Sequence, residues 1–101
     1  MSDLCKHTSF WRPDPQERAA LLGHLLAELP AGHILWTHRE TLSVAARDGD
    51  RIVVHSADPA CPCSIVHMSW AGRPAMAPFL PETETYADEA ALLAALTKAP
   101  T

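Results

Sequence analysis

The spacing of hydrophobic residues changes along the chain from a helical period to an extended one and back. Leucines recur at helical spacing in LLGHLLAEL, and such a stripe is typical of an amphipathic helix. Asp14 can cap the first turn of this helix, and Pro15 suits its first position. Pro30 follows the last leucine as a stop signal. The pattern therefore predicts a helix over residues 15–29.

The middle of the chain alternates between apolar and polar positions. Leu42, Val44 and Ala46 are separated by single residues, as in a half-buried strand. RDGDR at residues 47–51 is a strong turn signal, and the β-branched runs RIVVHS and CSIVHMSW come after it. Because the connections are too short for parallel crossovers, we expect three antiparallel strands in a meander.

The last third of the chain contains a proline-rich stretch and then a second helical pattern. Three prolines in AGRPAMAPFLP rule out a central strand or a helix interior, so we expect a surface arm over residues 71–85. The alanine- and leucine-rich segment after it has acidic residues in its first turn, where the helix dipole favours them. This segment predicts a helix over residues 87–98.

The order helix, three strands, helix predicts one two-layer α+β domain over residues 1–101. In this arrangement both helices cover the same face of the sheet. Residues 1–13 are expected to form an irregular segment with its Phe-Trp pair against the domain.

Charge and composition exclude several classes of protein. The chain has 8 Lys and Arg against 12 Asp and Glu, a net charge of −4, and its cations are scattered, which disfavours nucleic acid as a partner. No apolar run approaches the roughly 20 residues of a membrane span, and the acidic N-terminus does not resemble a signal peptide. We therefore expect a cytoplasmic protein that does not bind membranes and whose three cysteines are reduced.

The stretch ADPACPCSIVHMSW raises the possibility of a metal site. Cys63 and His67 share a strand face but lie roughly 13 Å apart along it, too far for one tetrahedral ion. A loop over residues 57–62 would turn His55 to the face opposite Cys63. A bulge would correct that register, so a site built from Cys61, Cys63 and a histidine stays the alternative. We predict neither a metal nor a cofactor.

The same cysteines are poor candidates for catalysis. A reactive thiol needs a pKa lowered by a helix N-terminus, a cation or a histidine, whereas Cys61 and Cys63 precede a strand. We interpret them as small apolar fillers. No nucleophile is placed beside His67, so no catalytic residue is predicted and a non-enzymatic protein is favoured.

Both faces of the predicted sheet are partly apolar, and one layer of helices can cover only one of them. An exposed apolar patch usually marks a contact surface, here for a protein partner or for a second copy in a homodimer. Alternatively, the N-terminal Phe-Trp segment and the arm fold over this face and bury it. The predicted surface consists of Val53, His55, Val66, Met68, Trp70, Met76 and Phe79.

The motif VHMSW at residues 66–70, followed by Gly72-Arg73, a proline-rich arm and Thr85-Tyr86, resembles a known family. It is similar to small uncharacterised bacterial proteins whose strand reads V-H-L-T-W, and the similarity spans residues 31–96. The chain departs from that pattern by its methionine and serine, by GDR in place of an acidic pair, and by a longer cysteine-bearing loop. The resemblance implies a shared helix–meander–helix fold and brings no activity, cofactor or catalytic residue.

Overall fold

The computed structural model describes residues 8, 10–37, 39–57, 62–70, 72–73, 76 and 80–97. Within these residues the four strands form one antiparallel sheet in the order β1-β2-β3-β4. Neither helix has the length and apolar character needed to cross a bilayer, among the residues described. The elements are α1 (Pro15–Glu28), a 3-10 helix (Arg39–Thr41), β1 (Ser43–Asp48), β2 (Arg51–His55), β3 (Cys63–His67), β4 (Thr83–Tyr86) and α2 (Glu89–Thr97).

Local capping signals determine where both helices begin. The side chain of Asp14 accepts a hydrogen bond from the backbone N–H of Glu17 at 2.7 Å, which satisfies a donor that the first turn leaves free. Asp88 does the same for the N–H of Ala91 at 2.7 Å. Helix α1 thus begins at the predicted residue, whereas α2 begins two residues later than predicted because Asp88 precedes it as the cap.

A fourth strand lies where the sequence analysis predicted part of the arm over residues 71–85. Thr83–Tyr86 pairs antiparallel with β3, and Val66 is opposite Thr83. The prediction of three strands is therefore wrong by one. The four residues TETY follow closely on a proline and carry no apolar alternation, so their pairing with β3 is a tertiary contact that local sequence does not indicate.

The two helices lie on opposite faces of the sheet, so the predicted two-layer arrangement is wrong. Ile52 and Val54 of β2 pack with Leu25 of α1, whereas Val53 between them packs with Leu92 of α2. Alternate strand residues point to opposite faces, and the result is a helix–sheet–helix sandwich. Strands that are apolar on both faces need cover on both, and each helix supplies one side.

The N-terminal segment completes the α2 side of the core and pairs with an edge of the sheet. Phe10 is buried in the same cluster as Val53 and Leu92. The backbone N–H and C=O groups of Trp11 each bond those of Arg47, both at 2.9 Å. The outer edge of β1 is therefore paired at Arg47.

Candidate functional site

Strands β2 and β3 bring His55 and Cys63 directly opposite each other. Ser56 donates its N–H to the carbonyl of Pro62 at 3.1 Å. The next pair, His55 with Cys63, is consequently a non-hydrogen-bonded pair, where opposing side chains come closest. The prediction that His55 faces away from Cys63 is wrong, because the ladder is shifted by one residue from the register assumed for a loop over 57–62.

An acidic helix start adjoins this pair. Nε2 of His55 lies 3.8 Å from Oε2 of Glu89, the first residue of α2. Tyr86 is opposite Cys63 on β4, and burial, together with the nearby Glu84 carboxyl, raises the pKa of the Tyr86 hydroxyl. The arrangement joins a thiol, an imidazole, a phenol and a carboxyl at one end of the sheet.

The thiol in this group is held in its neutral form. Burial raises the pKa of Cys63 to about 11, and the charges of Glu89 and Asp88 act in the same direction. Of the two protonation states of cysteine, the thiolate is the one that acts as a nucleophile or binds a metal ion. Cys63 therefore lacks the features of a reactive residue at neutral pH.

The described residues do not gather a set of metal ligands. Among the described residues, no group of three or more His, Cys, Asp or Glu side chains is placed to hold a metal ion. His67 pairs instead with Glu84, with Nε2 and Oε2 3.3 Å apart. Cys61 lies outside the described residues. Of the predicted candidates, the structure thus brings His55 and Cys63 together and leaves His67 apart.

Three of the seven residues of the predicted apolar surface are buried. Val53 and Val66 are 0% exposed and Met68 is 6% exposed, so the expectation that they line an open sheet face is wrong. Val53 points towards α2, whereas Val66 and Met68 point towards α1, and each face has its own cover. The other predicted positions differ: His55 and Trp70 are partly exposed, Met76 is fully exposed, and Phe79 lies outside the described residues.

In the described part of the chain, exposed large apolar side chains include Ile34 and Leu80, which lie beside a buried histidine, and also Trp11, Leu26 and Met76. Ile34 is 50% exposed and Leu80 is 39% exposed. Each is the chain neighbour of one partner in the hydrogen bond between Nε2 of His33 and the carbonyl of Pro81, at 2.9 Å. We call Ile34 and Leu80 the apolar pair. Ile34 is absent from the predicted surface because it belongs to the run HILW, which reads as a short strand or crossing segment.

His33 is the residue that holds the two segments together. Its Nδ1 accepts the backbone N–H of Leu35 at 3.0 Å, so the proton of the neutral ring is on Nε2. That N–H faces the Pro81 carbonyl and the hydroxyl oxygen of Thr83, which is 3.0 Å away. Burial lowers the pKa of His33, because the charged ring is poorly solvated there, and the hydrogen bond to the Pro81 carbonyl opposes this shift.

A buried carboxyl group fixes the end of the VHMSW motif. One oxygen of Glu28 accepts the N–H of Ser69 at 3.0 Å and its hydroxyl at 2.7 Å, and the other accepts the N–H of Trp70 at 2.8 Å. Trp70 has φ +61°, a left-handed conformation that is uncommon for a bulky residue. Its indole N–H donates to Asp50 at 2.6 Å. The motif therefore ends in a turn determined by contacts with α1.

Neither a protein-family model, nor a curated protein, nor a solved structure matches this chain. Its resemblance to small bacterial proteins with a V-H-L-T-W strand stays a prediction.

Proposed function

We propose that this chain is a small cytoplasmic domain that binds another protein and has no catalytic role. The observation that supports this function best is the apolar pair. Ile34 and Leu80 are half-exposed on segments that are tied together at His33. Covering such exposed large apolar side chains removes apolar area from water, which favours association with a partner.

The chemistry of the other polar groups is consistent with binding and unfavourable for catalysis. The thiol of Cys63 is protonated at neutral pH, and both ring nitrogens of His33 are engaged within the domain. His55 and His67 each face a carboxylate across 3.8 Å and 3.3 Å. A general base or nucleophile needs a free, activated atom directed towards a substrate.

Charged substitutions in the apolar pair test this function. Leu80→Asp and Ile34→Asp place a charge in the surface, and Thr37→Asp adds the same charge to an exposed polar position nearby. Tagged variants would be compared by affinity capture from the source cells with mass spectrometry, after thermal unfolding shows that each is folded. We expect a partner to be recovered with wild type and with Thr37→Asp, and to be lost with the two other variants.

Light scattering over a range of concentrations separates the two kinds of partner. Dimerisation that disappears in Leu80→Asp would identify a second copy as the protein bound. A binding role for the apolar pair would be contradicted if all variants captured the same proteins as wild type and had the same molar mass by light scattering.

The second candidate is a metal-binding or thiol-dependent protein that uses the Cys61/Cys63 loop. It is favoured by one observation, the direct pairing of His55 with Cys63. Zinc analysis of purified protein tests it: stoichiometric zinc that is lost on Cys63→Ser and kept on Cys5→Ser would support a metal site. Protein purified without bound metal that does not take up added zinc would contradict it.

A further inference from the structure

The backbone of β4 alternates between groups that face β3 and groups that face outward. His67 donates its N–H to the carbonyl of Glu82 at 2.8 Å, which sets the phase of the ladder. In an antiparallel pair every second residue points its backbone groups to the neighbouring strand. Glu82, Glu84 and Tyr86 therefore bond towards β3, and the N–H and C=O groups of Thr83 and Thr85 point away from it.

No described residue bonds to these outward groups. The backbone bonds beyond the strand ladders do not include Thr83 or Thr85, and neither residue's backbone is bonded by a side chain in the described part of the chain. The opposite edge differs, because Trp11 pairs with Arg47 in both directions. An open strand edge is a template for a further strand.

The charge of this edge selects a basic partner. Strand β4 contains Glu84, is preceded by Glu82, and has no lysine or arginine. A second copy paired through β4 would bring the same carboxylates against each other, and like charges opposite each other in a sheet are destabilising. A segment that carries lysine or arginine would instead form attractive cross-strand pairs.

The two faces of β4 add a pattern to this requirement. Glu84 is opposite Ile65 and so points to the α2 face, whereas Thr83 is opposite Val66 and points to the α1 face. The apolar pair adjoins the α1 face, because His33 contacts Thr83. An added strand would place alternate residues beside the carboxylate and beside the threonines.

We propose that the outer edge of β4 binds an extended segment of another protein in which lysine or arginine alternates with apolar or β-branched residues. The segment adds to the sheet as a strand, so that main-chain bonds to Thr83 and Thr85 supply affinity and Glu84 supplies selectivity for basic side chains. This inference rests on the proposed function, for which it names the chemistry of the partner.

The test uses the full chain and a synthetic eight-residue peptide that alternates lysine with valine or threonine. Two modified peptides carry N-methyl groups at every second amide. In one of them the methyl groups lie along one edge of the peptide strand, and in the other they lie along the opposite edge. We expect the unmodified peptide to shift the NMR signals of the Thr83 and Thr85 amides. One N-methylated form should bind at least about tenfold more weakly, because it loses its main-chain bonds and clashes with β4, while the other form should bind as before.

Protein variants provide the matching control. Thr85→Pro removes an outward N–H without removing a bond to β3, and Thr85→Val keeps that N–H while changing the side chain. Peptide binding should fall about tenfold in the folded proline variant and stay within about twofold in the valine variant, as expected for one lost hydrogen bond. Replacing lysine by glutamate in the peptide should abolish binding.

Three results would overturn the proposal. They are the absence of peptide binding at millimolar concentration, binding that is equally sensitive or insensitive to N-methylation of either edge, and a homodimer that Thr85→Pro dissociates. If the peptide fails to bind while Leu80→Asp still loses a captured protein, the proposed function stands and the strand-addition mode is wrong. If the peptide binds and the Ile34→Asp and Leu80→Asp variants capture the same proteins as wild type, the proposal for the β4 edge is upheld and the apolar pair is not the binding surface.

Discussion

Replacing Glu28 by glutamine is expected to destabilise the domain through the turn that it holds. Three donors converge on the two carboxyl oxygens of Glu28: the N–H and hydroxyl of Ser69 and the N–H of Trp70. Glutamine fills the same space but has one acceptor oxygen and one NH₂ donor. With its oxygen turned to Ser69, it satisfies two donors and leaves its amide nitrogen against the N–H of Trp70.

One lost hydrogen bond and one unpaired donor correspond to about 2 kcal/mol, since an unsatisfied buried donor costs about 1–3 kcal/mol. For a domain of this size that loss lowers Tm by about 10 °C. The free energy of unfolding would be measured by urea titration with tryptophan fluorescence. Glu40→Gln changes an exposed carboxyl in the same way and should stay within about 0.5 kcal/mol of wild type. If Glu28→Gln also stays within that margin, the carboxyl group does not hold the turn.

Three further predictions concern single side chains. Ser64→Ala should raise the free energy of unfolding by about 1 kcal/mol, because the buried hydroxyl of Ser64 has no hydrogen-bond partner among the described residues. Urea titration measures this change, with Ser43→Ala at an exposed position as the control, and a loss of stability in Ser64→Ala would contradict the reasoning. The folded pKa of His33 lies below its unfolded value of 6.5, so the unfolded state binds more protons than the folded state. The stability contributed by neutral His33 is therefore fully present above pH 6.5 and should be lost as the pH falls below that value. Urea midpoints of wild type should show this decline, and those of His33→Gln should show less of it. Cys63, with the other two cysteines changed to serine, should react with a thiol reagent at pH 8 at least about a hundredfold more slowly in native protein than in urea; equal rates would show an accessible thiolate.

Local chemistry made both helices predictable. The cap at Asp14 and the leucine stripe act within one segment, and their effect is seen at the predicted residues. The β2–β3 register was not predictable because Pro62 lacks an N–H and reads as the end of a loop. Its carbonyl still accepts a ladder bond from Ser56, and this bond places His55 beside Cys63.

The missed features of the fold share a different origin. The sequence shows that β2 and β3 are apolar on both faces, and this pattern is compatible with one covered face or with two. Which helix covers which face depends on connections whose path is not encoded in any short segment. The same holds for β4 and for Ile34, whose exposure depends on where His33 meets Pro81.

The position of α2 has a consequence for synthesis of the chain on the ribosome. Phe10 is synthesised well before Leu92, yet both cover the same side of Val53 and Ile65. A nascent chain without residues 89–97 can close the α1 side of its sheet and leaves the other side in contact with water. Until α2 has emerged, the incomplete domain exposes an apolar surface that the folded domain buries.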